Sequence, residues 1–409
     1  MKGLLMNKLF DVTIIGGGIV GLASAYKIQK NHPELKVLVI EKENRVAAHQ
    51  TGHNSGVIHS GIYYNPGSYK AQNCVNGRRQ LVAFAKEHGV DHEVCGKVIV
   101  ATDEAELPFM NKIFTHGQEN GVEDIQKISA QEIKDIEPHC EGIAGLWVGA
   151  AGIIDYVGVA KKLAELVPQL NAESEVRLGY EVKDFSKRND VNIIHTPKGD
   201  FETKFMVFCG GLQSDLLAKK QGVKMKEKIV GFRGDYYELT DQAKHKVNHL
   251  IYPVPNPAFP FLGVHFTRMT NGEIECGPNA VFTFKREGYD KTDFNLKDTL
   301  DALTYSGTWK LFKDNWRFGL DEYRRAFSKE RFLKTLQRLI PSLTLDDLKP
   351  GRSGVRAMLL NLKGDTKDDF RIEYGNDSIH VLNAPSPAAT AALAIGDAVN
   401  DMAEEAFDL

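Results

Sequence analysis

Residues 10–21 have the sequence FDVTIIGGGIVG, a β-branched apolar run that ends in three glycines. The run predicts a buried strand, and the apolar spacing of residues 20–30 predicts a helix directly after the glycines. A second apolar run, residues 37–40, predicts a strand that ends at the acidic Glu41. Strand, helix and strand within about thirty residues form a βαβ unit with parallel strands. We therefore expect the chain to begin with parallel α/β structure.

The glycines of this turn follow the spacing Gly16-x-Gly18-x-x-Gly21. The first permits the tight turn, the second lets a pyrophosphate approach the backbone, and the third lets the helix pack on the strand. Glu41 ends the second strand, where a carboxylate can accept hydrogen bonds from ribose hydroxyls. This context favours a dinucleotide site over a merely structural glycine turn. NAD and FAD both fit the pattern, and the Gly- and His-rich run after Glu41 favours FAD.

The composition is that of a folded, soluble protein. The chain has 409 residues, of which 42% are hydrophobic and 26% are charged, which excludes disordered and fibrous classes. Its net charge of −3 leaves no positive excess for binding nucleic acid. The five cysteines are scattered and lack zinc spacing, so we expect reduced thiols and no metal site. Without a signal-peptide core or an apolar run of about 18 residues, we expect a cytoplasmic protein.

The rest of the chain mixes α/β structure with a block of strands. The patterns predict helices at 70–90, 105–120 and 158–168, and strands at 94–101, 181–185, 191–195 and 205–208. Alternation and proline-containing turns predict an antiparallel sheet over 228–284, and helix returns over 293–340. The chain ends with strands at 370–373 and 379–382 and a helix over 388–406, with Ser386 as N-cap and Pro387 as first residue. Two interleaved domains follow from this order.

Residues 49–64 (HQTGHNSGVIHSGIYY) contain three histidines and three glycines but little periodicity. This run closely resembles the signature of the L-2-hydroxyglutarate dehydrogenases, flavoproteins of the D-amino-acid oxidase and glycerol-3-phosphate dehydrogenase superfamily. Nearly the whole chain shares the resemblance, through matches at 95–97 (CGK), 152–156 (GIIDY), 261–267 (FLGVHFT) and 383–390 (NAPSPAAT). The mitochondrial transit segment of the animal relatives is absent, which favours a bacterial-type, cytoplasmic form.

The resemblance implies an α/β fold, α+β overall, in which a Rossmann-like FAD-binding domain is interleaved with a substrate domain built on a mostly antiparallel sheet. We assign residues 8–90, 150–215 and 345–409 to the FAD-binding domain. The substrate-binding domain then takes residues 91–149 and 216–344.

The resemblance also implies which residues hold FAD. The ADP half would be held by Gly16, Gly18, Gly21 and Glu41. The pyrophosphate and ribityl chain would lie along Thr51, Asn54 and Ser55. Val182 falls where this superfamily contacts adenine, and the next close approach falls at Gly210 and Gly211. The positive end of the last helix would face the flavin ring through Ser386, Pro387 and Ala388, unless this is an ordinary capped surface helix.

Oxidation of a hydroxy acid requires a base that takes the hydroxyl proton while the C2 hydride goes to the flavin. Imidazole, which titrates near pH ~6.5, suits this task. His53 lies in the flavin-cradling run and could orient the ring only, whereas His59 and His265 could each face the reacting group. For every one of the three, a hydrogen-bonded structural histidine is the alternative.

A dicarboxylate substrate requires fixed cations or hydroxyl donors, and guanidinium groups bind carboxylates bidentately. The candidate substrate-binding residues are Arg268, Arg233, Tyr236, Arg356 and Tyr63, with Tyr64 and Lys97 as weaker candidates. Any of these arginines could instead be an ordinary surface ion-pair partner.

We expect FAD-dependent oxidation of L-2-hydroxyglutarate to 2-oxoglutarate, with electrons passed to a quinone or to oxygen. The alternatives are a related flavoenzyme acting on glycerol 3-phosphate or an amine such as sarcosine, a flavin-binding protein without turnover, and an NAD-linked dehydrogenase. Residues 309–338 carry nine Lys or Arg and four Asp or Glu among aromatic residues. This segment is either an aromatic core with a solvated basic face or a peripheral contact with anionic lipid on the inner face of the membrane.

Overall fold

The structure, a computed structural model, describes residues 8–255 and 263–409. Phe261 and Leu262, from the predicted run 261–267, lie outside these ranges. The described helices are α1 (Ile19–Asn31), α2 (Tyr69–His88), α3 (Leu107–Glu119), α4 (Ala130–Ile136), α5 (Tyr156–Leu170), α6 (Ser214–Lys220), α7 (Leu296–Leu303), α8 (Ser306–Asp314), α9 (Trp316–Ala326), α10 (Lys329–Leu336) and α11 (Ala392–Phe407). The described strands are β1 (Leu9–Ile15), β2 (Val37–Glu41), β3 (Val57–Ile58), β4 (His92–Glu93), β5 (Lys97–Ala101), β6 (Ile125–Ser129), β7 (Ala144–Val148), β8 (Gly152–Ile154), β9 (Glu175–Leu178), β10 (Asp184–Arg188), β11 (Val191–Thr196), β12 (Gly199–Phe208), β13 (Lys228–Leu239), β14 (Leu250–Pro253), β15 (His265–Arg268), β16 (Ile274–Gly277), β17 (Val281–Phe282), β18 (Leu348–Leu360), β19 (Arg371–Gly375) and β20 (Ser378–Asn383).

The first sheet contains the predicted βαβ unit. Its strands β20, β12, β1, β2 and β9 pair in that order and run parallel, and β19 and the β10–β11 hairpin add antiparallel strands. Alternate residues of β2 enter different cores: Val39 packs with helices α1, α5 and α11, whereas Leu38 packs on the opposite face. Because both faces are covered, these strands are continuous apolar runs. The predicted opening of the fold is confirmed.

The second sheet is mostly antiparallel, as predicted, with the strand order β17-β13-β16-β15-β14-β5-β7-β6. One internal pair, β14 with β5, is parallel. Strand β18 pairs along nearly the whole length of β13. Residues 348–360 thus join this sheet, although they fall within the segment 345–409 that the sequence assigned to the FAD-binding domain. The α/β class with an interleaved antiparallel sheet is confirmed, and the domain boundaries stay a prediction.

Alternation divides the side chains of the second sheet between two faces. On β5, Val98 and Val100 enter a core that contains α10, whereas Ile99 and Ala101 enter another that contains Tyr252 of β14. Lys97 has the same parity as Ile99 and therefore lies on that second face. This face carries the polar residues of the site described below.

Two local predictions differ from the structure. The predicted strand at 181–185 begins only at Asp184, so Val182 lies in the preceding loop. The predicted helix at 388–406 begins at Ala392, and residues 386–391 form turns. Ser386 and Pro387 are therefore not the cap and first residue of that helix, because tertiary contacts of this segment outweigh its local capping pattern.

The aromatic residues of 309–338 divide between core and surface. Phe312 packs against a hydrophobic cluster, but Trp309, Trp316 and Phe327 are 58%, 59% and 71% exposed. An aromatic core with a solvated basic face thus describes only part of this segment. Within residues 8–255 and 263–409, the helices are too short or too polar to cross a bilayer.

Candidate active site

The glycine turn after β1 is packed so closely that two of its glycines have no substitute. Gly16 has φ +120, and a Cβ there would lie 2.3 Å from the carbonyl oxygen of Cys209. A Cβ on Gly21 would lie 2.1 Å from the carbonyl oxygen of Gly16, so the helix touches the strand here. At Gly18 the nearest atom to a Cβ is Thr51 Oγ1 at 3.4 Å. Gly18 therefore lacks the close backbone contacts of Gly16 and Gly21, which suits the residue beside a pyrophosphate.

The N-terminus of α1 is suited to an anion. Its first turn holds no acidic residue, Gly18 supplies no side-chain cap, and the Ile19 amide donates to Thr51 Oγ1 at 3.0 Å. Nearby, Glu41 accepts from the Gly17 amide at 2.7 Å through Oε2 and from a second backbone amide at 2.9 Å through Oε1. Each carboxylate oxygen keeps a further lone pair for a ribose hydroxyl. The arrangement fits the ADP half of a dinucleotide.

The run after residue 49 forms a loop that its own polar groups shape. The amide of Asn54 donates to the carbonyls of Gln50 at 3.1 Å and Thr51 at 2.7 Å, and its Oδ1 accepts from the Gly56 amide at 2.9 Å. Asn54 therefore fixes the course of the loop with its side chain. This leaves backbone groups and hydroxyls of the loop to contact a ligand.

Arg352 of β18 holds the same loop from the other side, and no sequence pattern pointed to it. Its guanidinium donates to the Gly52 carbonyl at 3.2 Å and to the Asn54 carbonyl at 2.5 Å. It also pairs with Glu275, which is only 2% exposed. Burial raises the pKa of the Glu275 carboxyl, and Arg352 opposes that rise. The loop and the antiparallel sheet are thus tied together by one side chain.

His53 also connects the loop to strand β18. Its Nδ1–H donates to the Ser353 carbonyl at 2.9 Å, and its ring stacks on Tyr289 at 3.9 Å between centroids. Burial lowers its pKa. These contacts hold His53 against β18, so it orients the loop.

His59 lies where the loop meets the C-terminal segment. Its backbone amide donates to Thr390 Oγ1 at 3.1 Å, and its Nε2 is 3.4 Å from Ser386 Oγ. Within the described residues its buried Nδ1 has no hydrogen-bond partner. Burial, with smaller contributions from the nearby Lys97 and His265, lowers its pKa to about 3. His59 is therefore a neutral imidazole with one uncommitted nitrogen.

His265 lies on β15, on the face of the sheet that also carries Lys97. Its Nδ1–H donates to the Gly263 carbonyl at 2.9 Å, so the lone pair of the neutral ring is on Nε2. The ring centroid lies 4.0 Å from that of Tyr252. Burial, with the charges of Arg356 and Lys97, lowers the pKa of His265 to about 3. Since Lys97 influences both His59 and His265, the two imidazoles lie near the same cation.

Lys97 is the most unusual residue of the site. It is fully buried, and its Nζ lies 4.5 Å from the ring centroid of Tyr63 and 4.9 Å from that of Tyr252. Within residues 8–255 and 263–409, neither Lys97 Nζ nor the buried Tyr63 hydroxyl has a hydrogen-bond partner. Burial lowers the pKa of Lys97 to about 7. The sequence had placed Lys97 only among the weaker candidates.

Arg356 and Tyr236 form a second polar pair on strands β18 and β13. Burial lowers the pKa of Arg356 and raises that of Tyr236 to about 12, and each residue moderates the pKa of the other. Tyr252, whose pKa burial also raises, is influenced in turn by Tyr236 and by the hydroxyl of Ser55. Arg356 and Tyr236 therefore lie in the same buried region as His265 and Lys97.

Two predicted substrate-binding arginines have carboxylate partners of their own. Arg233 donates to Asp235 at 2.8 Å and to the Asp290 carbonyl at 2.7 Å. Arg268 pairs with Glu93 at 2.5 Å. Carboxylates thus already balance both positive charges. Arg356, whose guanidinium donates to the Asn279 carbonyl at 3.4 Å, is the stronger candidate because it lies near enough to His265 to lower its pKa.

The remaining predicted cofactor residues lie around the first sheet. Val182 packs against the cluster that contains Phe208. Gly211 has φ +54, and a Cβ there would lie 2.9 Å from Gln50 Oε1, whereas a Cβ on Gly210 would lie 2.5 Å from the Leu217 side chain. Tyr64, a weaker substrate candidate, has its pKa raised by burial. The predicted contacts of these residues with cofactor or substrate stay predictions.

Comparison with known proteins gives one consistent picture. The family described as FAD dependent oxidoreductase matches residues 11–402. An L-2-hydroxyglutarate dehydrogenase from Indibacter alkaliphilus is 46% identical over 399 residues, which cover 97% of this chain and 100% of that protein. A mitochondrial L-2-hydroxyglutarate dehydrogenase from Nematostella vectensis is 44% identical, with 98% and 91% covered, and one from Escherichia coli K12 is 40% identical, with 95% and 92% covered.

Solved structures share the fold. A dithionite-reduced L-alpha-glycerophosphate oxidase from Mycoplasma pneumoniae with FAD bound superposes with a TM-score of 0.78 at 25% identity, covering 96% of this chain and 94% of the other. Glycine oxidase from Geobacillus kaustophilus gives a TM-score of 0.74 at 15% identity, with 97% and 95% covered. The second likeness concerns the fold alone.

Proposed function

Because the chain belongs to the family of FAD-dependent oxidoreductases, we propose that it oxidises L-2-hydroxyglutarate to 2-oxoglutarate. The choice of substrate rests on the 40–46% identity, over nearly the full chain, to proteins named L-2-hydroxyglutarate dehydrogenase. Bound FAD supplies the acceptor for the C2 hydride. Gly16 and Gly18, in the tight turn before α1, and the Glu41 carboxylate beside that turn are suited to its ADP half.

His265 is our candidate for the base that takes the hydroxyl proton. Its Nδ1–H is committed to the Gly263 carbonyl, so Nε2 is the nitrogen that can accept. In the substrate-free site, burial and the neighbouring cations Arg356 and Lys97 keep its pKa at about 3. A bound dicarboxylate would neutralise those cations and raise the pKa of His265, so the base would become effective when substrate is present. His59 is the alternative base, because its Nδ1 is also uncommitted.

The guanidinium of Arg356, with the hydroxyl of Tyr236, is our candidate for binding a substrate carboxylate. Arg356 lowers the pKa of His265, and Tyr236 interacts electrostatically with Arg356. A buried guanidinium binds a carboxylate through charge-assisted bonds that fix its orientation. This would place the hydroxyl of the substrate at the imidazole.

Anaerobic reduction of the bound flavin tests this function. We expect L-2-hydroxyglutarate to bleach the oxidised flavin absorbance within seconds, and the D-enantiomer, glycerol 3-phosphate and sarcosine to leave it unchanged. Bleaching by glycerol 3-phosphate or sarcosine but not by L-2-hydroxyglutarate would replace the proposed substrate. No bleaching by any of them would favour a flavin-binding protein without turnover.

For the electron acceptor we propose a membrane quinone, reached through peripheral contact with anionic lipid. The support is the surface of α8 and α9, where the exposed Trp309, Trp316 and Phe327 lie among lysines and arginines. Exposed aromatic residues beside cations are typical of proteins that lie on anionic membranes. Sedimentation with phosphatidylcholine vesicles, with and without phosphatidylglycerol, tests the contact. We expect salt-sensitive binding to the anionic vesicles, weakened by W316S with F327S, and absence of binding to either vesicle would leave oxygen as the acceptor.

A further inference from the structure

The buried amine of Lys97 has no anionic partner among the described residues. It is on the face of β5 that otherwise enters an apolar core, between the rings of Tyr63 and Tyr252. Buried charges in folded proteins are paired, because an unpaired one loses its hydration without compensation. A lysine kept at such a position is therefore explained most simply by a ligand that brings the opposite charge.

Three of the uncommitted polar atoms buried in this part of the site matter for a ligand. They are Lys97 Nζ, the Tyr63 hydroxyl and His59 Nδ1, none of which has a hydrogen-bond partner within residues 8–255 and 263–409. The first two are donors whose natural complement is an acceptor. A carboxylate has two oxygens and about four lone pairs, so it can satisfy an ammonium and a hydroxyl together.

We propose that Lys97 and Tyr63 form the subsite for the substrate carboxylate distal to the reacting hydroxyl. This inference rests on the proposed function, in which Arg356 and Tyr236 hold the other carboxylate. The rings of Tyr63 and Tyr252 beside the amine offer apolar walls for the methylene groups that precede the distal carboxylate. Both Lys97 and Arg356 lie near enough to His265 to lower its pKa. Selectivity for a dicarboxylate over a monocarboxylate would then come from Lys97.

The test compares two substrates with two variants of the FAD-bound enzyme. L-2-hydroxyvalerate has the same five-carbon chain as L-2-hydroxyglutarate but ends in a methyl group. We expect K97M to lower kcat/KM for L-2-hydroxyglutarate by about 30- to 100-fold, mainly through KM, since a charge-assisted contact is lost. For L-2-hydroxyvalerate the change should be under about 3-fold, and Y63F should show the same selectivity with a smaller loss. Equal losses for both substrates, or no loss for either, would overturn the assignment.

A binding measurement separates this inference from the proposed function. Glutarate and valerate lack the reacting hydroxyl, and their binding can be followed by perturbation of the flavin absorbance. We expect the wild-type protein to bind glutarate more tightly than valerate and K97M to lose that preference, with K112M, at an exposed lysine, as the matched control. If wild type shows this Lys97-dependent preference but does not oxidise L-2-hydroxyglutarate, the subsite stands and the proposed function fails. If it oxidises L-2-hydroxyglutarate but K97M keeps the preference for glutarate, the subsite assignment is wrong and the proposed function is unaffected.

Discussion

Replacement of Lys97 by methionine should stabilise the substrate-free protein at neutral pH. Methionine matches the unbranched stem of lysine and fills the same apolar surroundings without a charge. The neighbours that face the amine are Tyr63, Tyr252, His59, His265 and Cys74. Among them, only the Cys74 thiol raises the pKa of the amine, and burial outweighs it. Protonating Lys97 in the folded protein is therefore unfavourable.

The size of the effect follows from the two pKa values of the amine. Burial lowers the pKa of Lys97 from the ordinary 10.5 to about 7 in the folded protein. Between these pH values the unfolded chain binds one proton more, so the wild-type free energy of unfolding rises with pH, by about 1.4 kcal/mol per unit. The ionisation penalty is then about 4 kcal/mol at pH 7, about 2 kcal/mol at pH 9, and nearly zero above pH 10.5. K97M has no such penalty.

Urea denaturation of the wild type, K97M and the surface control K112M, each saturated with FAD, measures this difference at pH 7 and pH 9. The stability advantage of K97M over wild type should shrink by about 2 kcal/mol between the two pH values. K112M should stay within about 0.5 kcal/mol of wild type at both. An advantage of K97M that does not change with pH would show that Lys97 binds its proton equally well in both states, which would refute the reasoning.

Three further predictions concern the framework of the site. G21A, whose Cβ would lie 2.1 Å from a backbone carbonyl oxygen, should weaken FAD binding at least about tenfold by fluorescence titration. G319A, whose Cβ would have no described atom within 4 Å, should retain FAD binding. R352M, which frees two loop carbonyls and unpairs a buried carboxylate, should lose about 2 kcal/mol of unfolding free energy and part of its FAD affinity; unchanged values of both would contradict its role. D215N removes the fully buried carboxylate partner of Arg286 and should lower the free energy of unfolding by about 3 kcal/mol in urea denaturation. D314N, on an exposed helix face, should lower it by under about 0.5 kcal/mol; equal losses for the two variants would contradict the importance of burial.

The sequence predicts the start of the fold well because the relevant interactions are local. The apolar run, the glycines and the helix lie within about twenty residues, and Gly16 and Gly21 contact each other directly. The C-terminal prediction failed for the opposite reason. Ser386 and Pro387 have the local pattern of a helix start, but Thr390, a few residues on, accepts from the His59 amide and lies 2.8 Å from the Tyr156 hydroxyl. Contacts with distant parts of the chain decide the conformation there.

The sequence predicted the candidate substrate-binding residues by their type, but it did not show that they lie together. Four different strands of one sheet carry the residues Lys97, Tyr236, His265 and Arg356. The residues lie near one another because their strands belong to the same sheet. Pairing over such sequence distances leaves no local signal, and Lys97 lies inside a run that otherwise predicts only a buried strand. Arg352 illustrates the same limit: its partners in the loop are backbone carbonyls, which any residue type supplies.

These contacts also explain why the two sheets are interleaved in the chain. We propose that the loop after residue 49 contacts FAD. Its shape is fixed by residues of β18, since Arg352 binds its carbonyls and a Cβ on Gly354 would lie 2.3 Å from the His53 carbonyl oxygen. Strand β18 carries Arg356 two residues further on, on the same face of the strand. One strand therefore positions both the loop that we propose holds the cofactor and the cation that we propose binds the substrate. Because an extended strand is rigid over so few residues, the distance between the two is set by backbone geometry, as transfer of a hydride between two bound molecules requires.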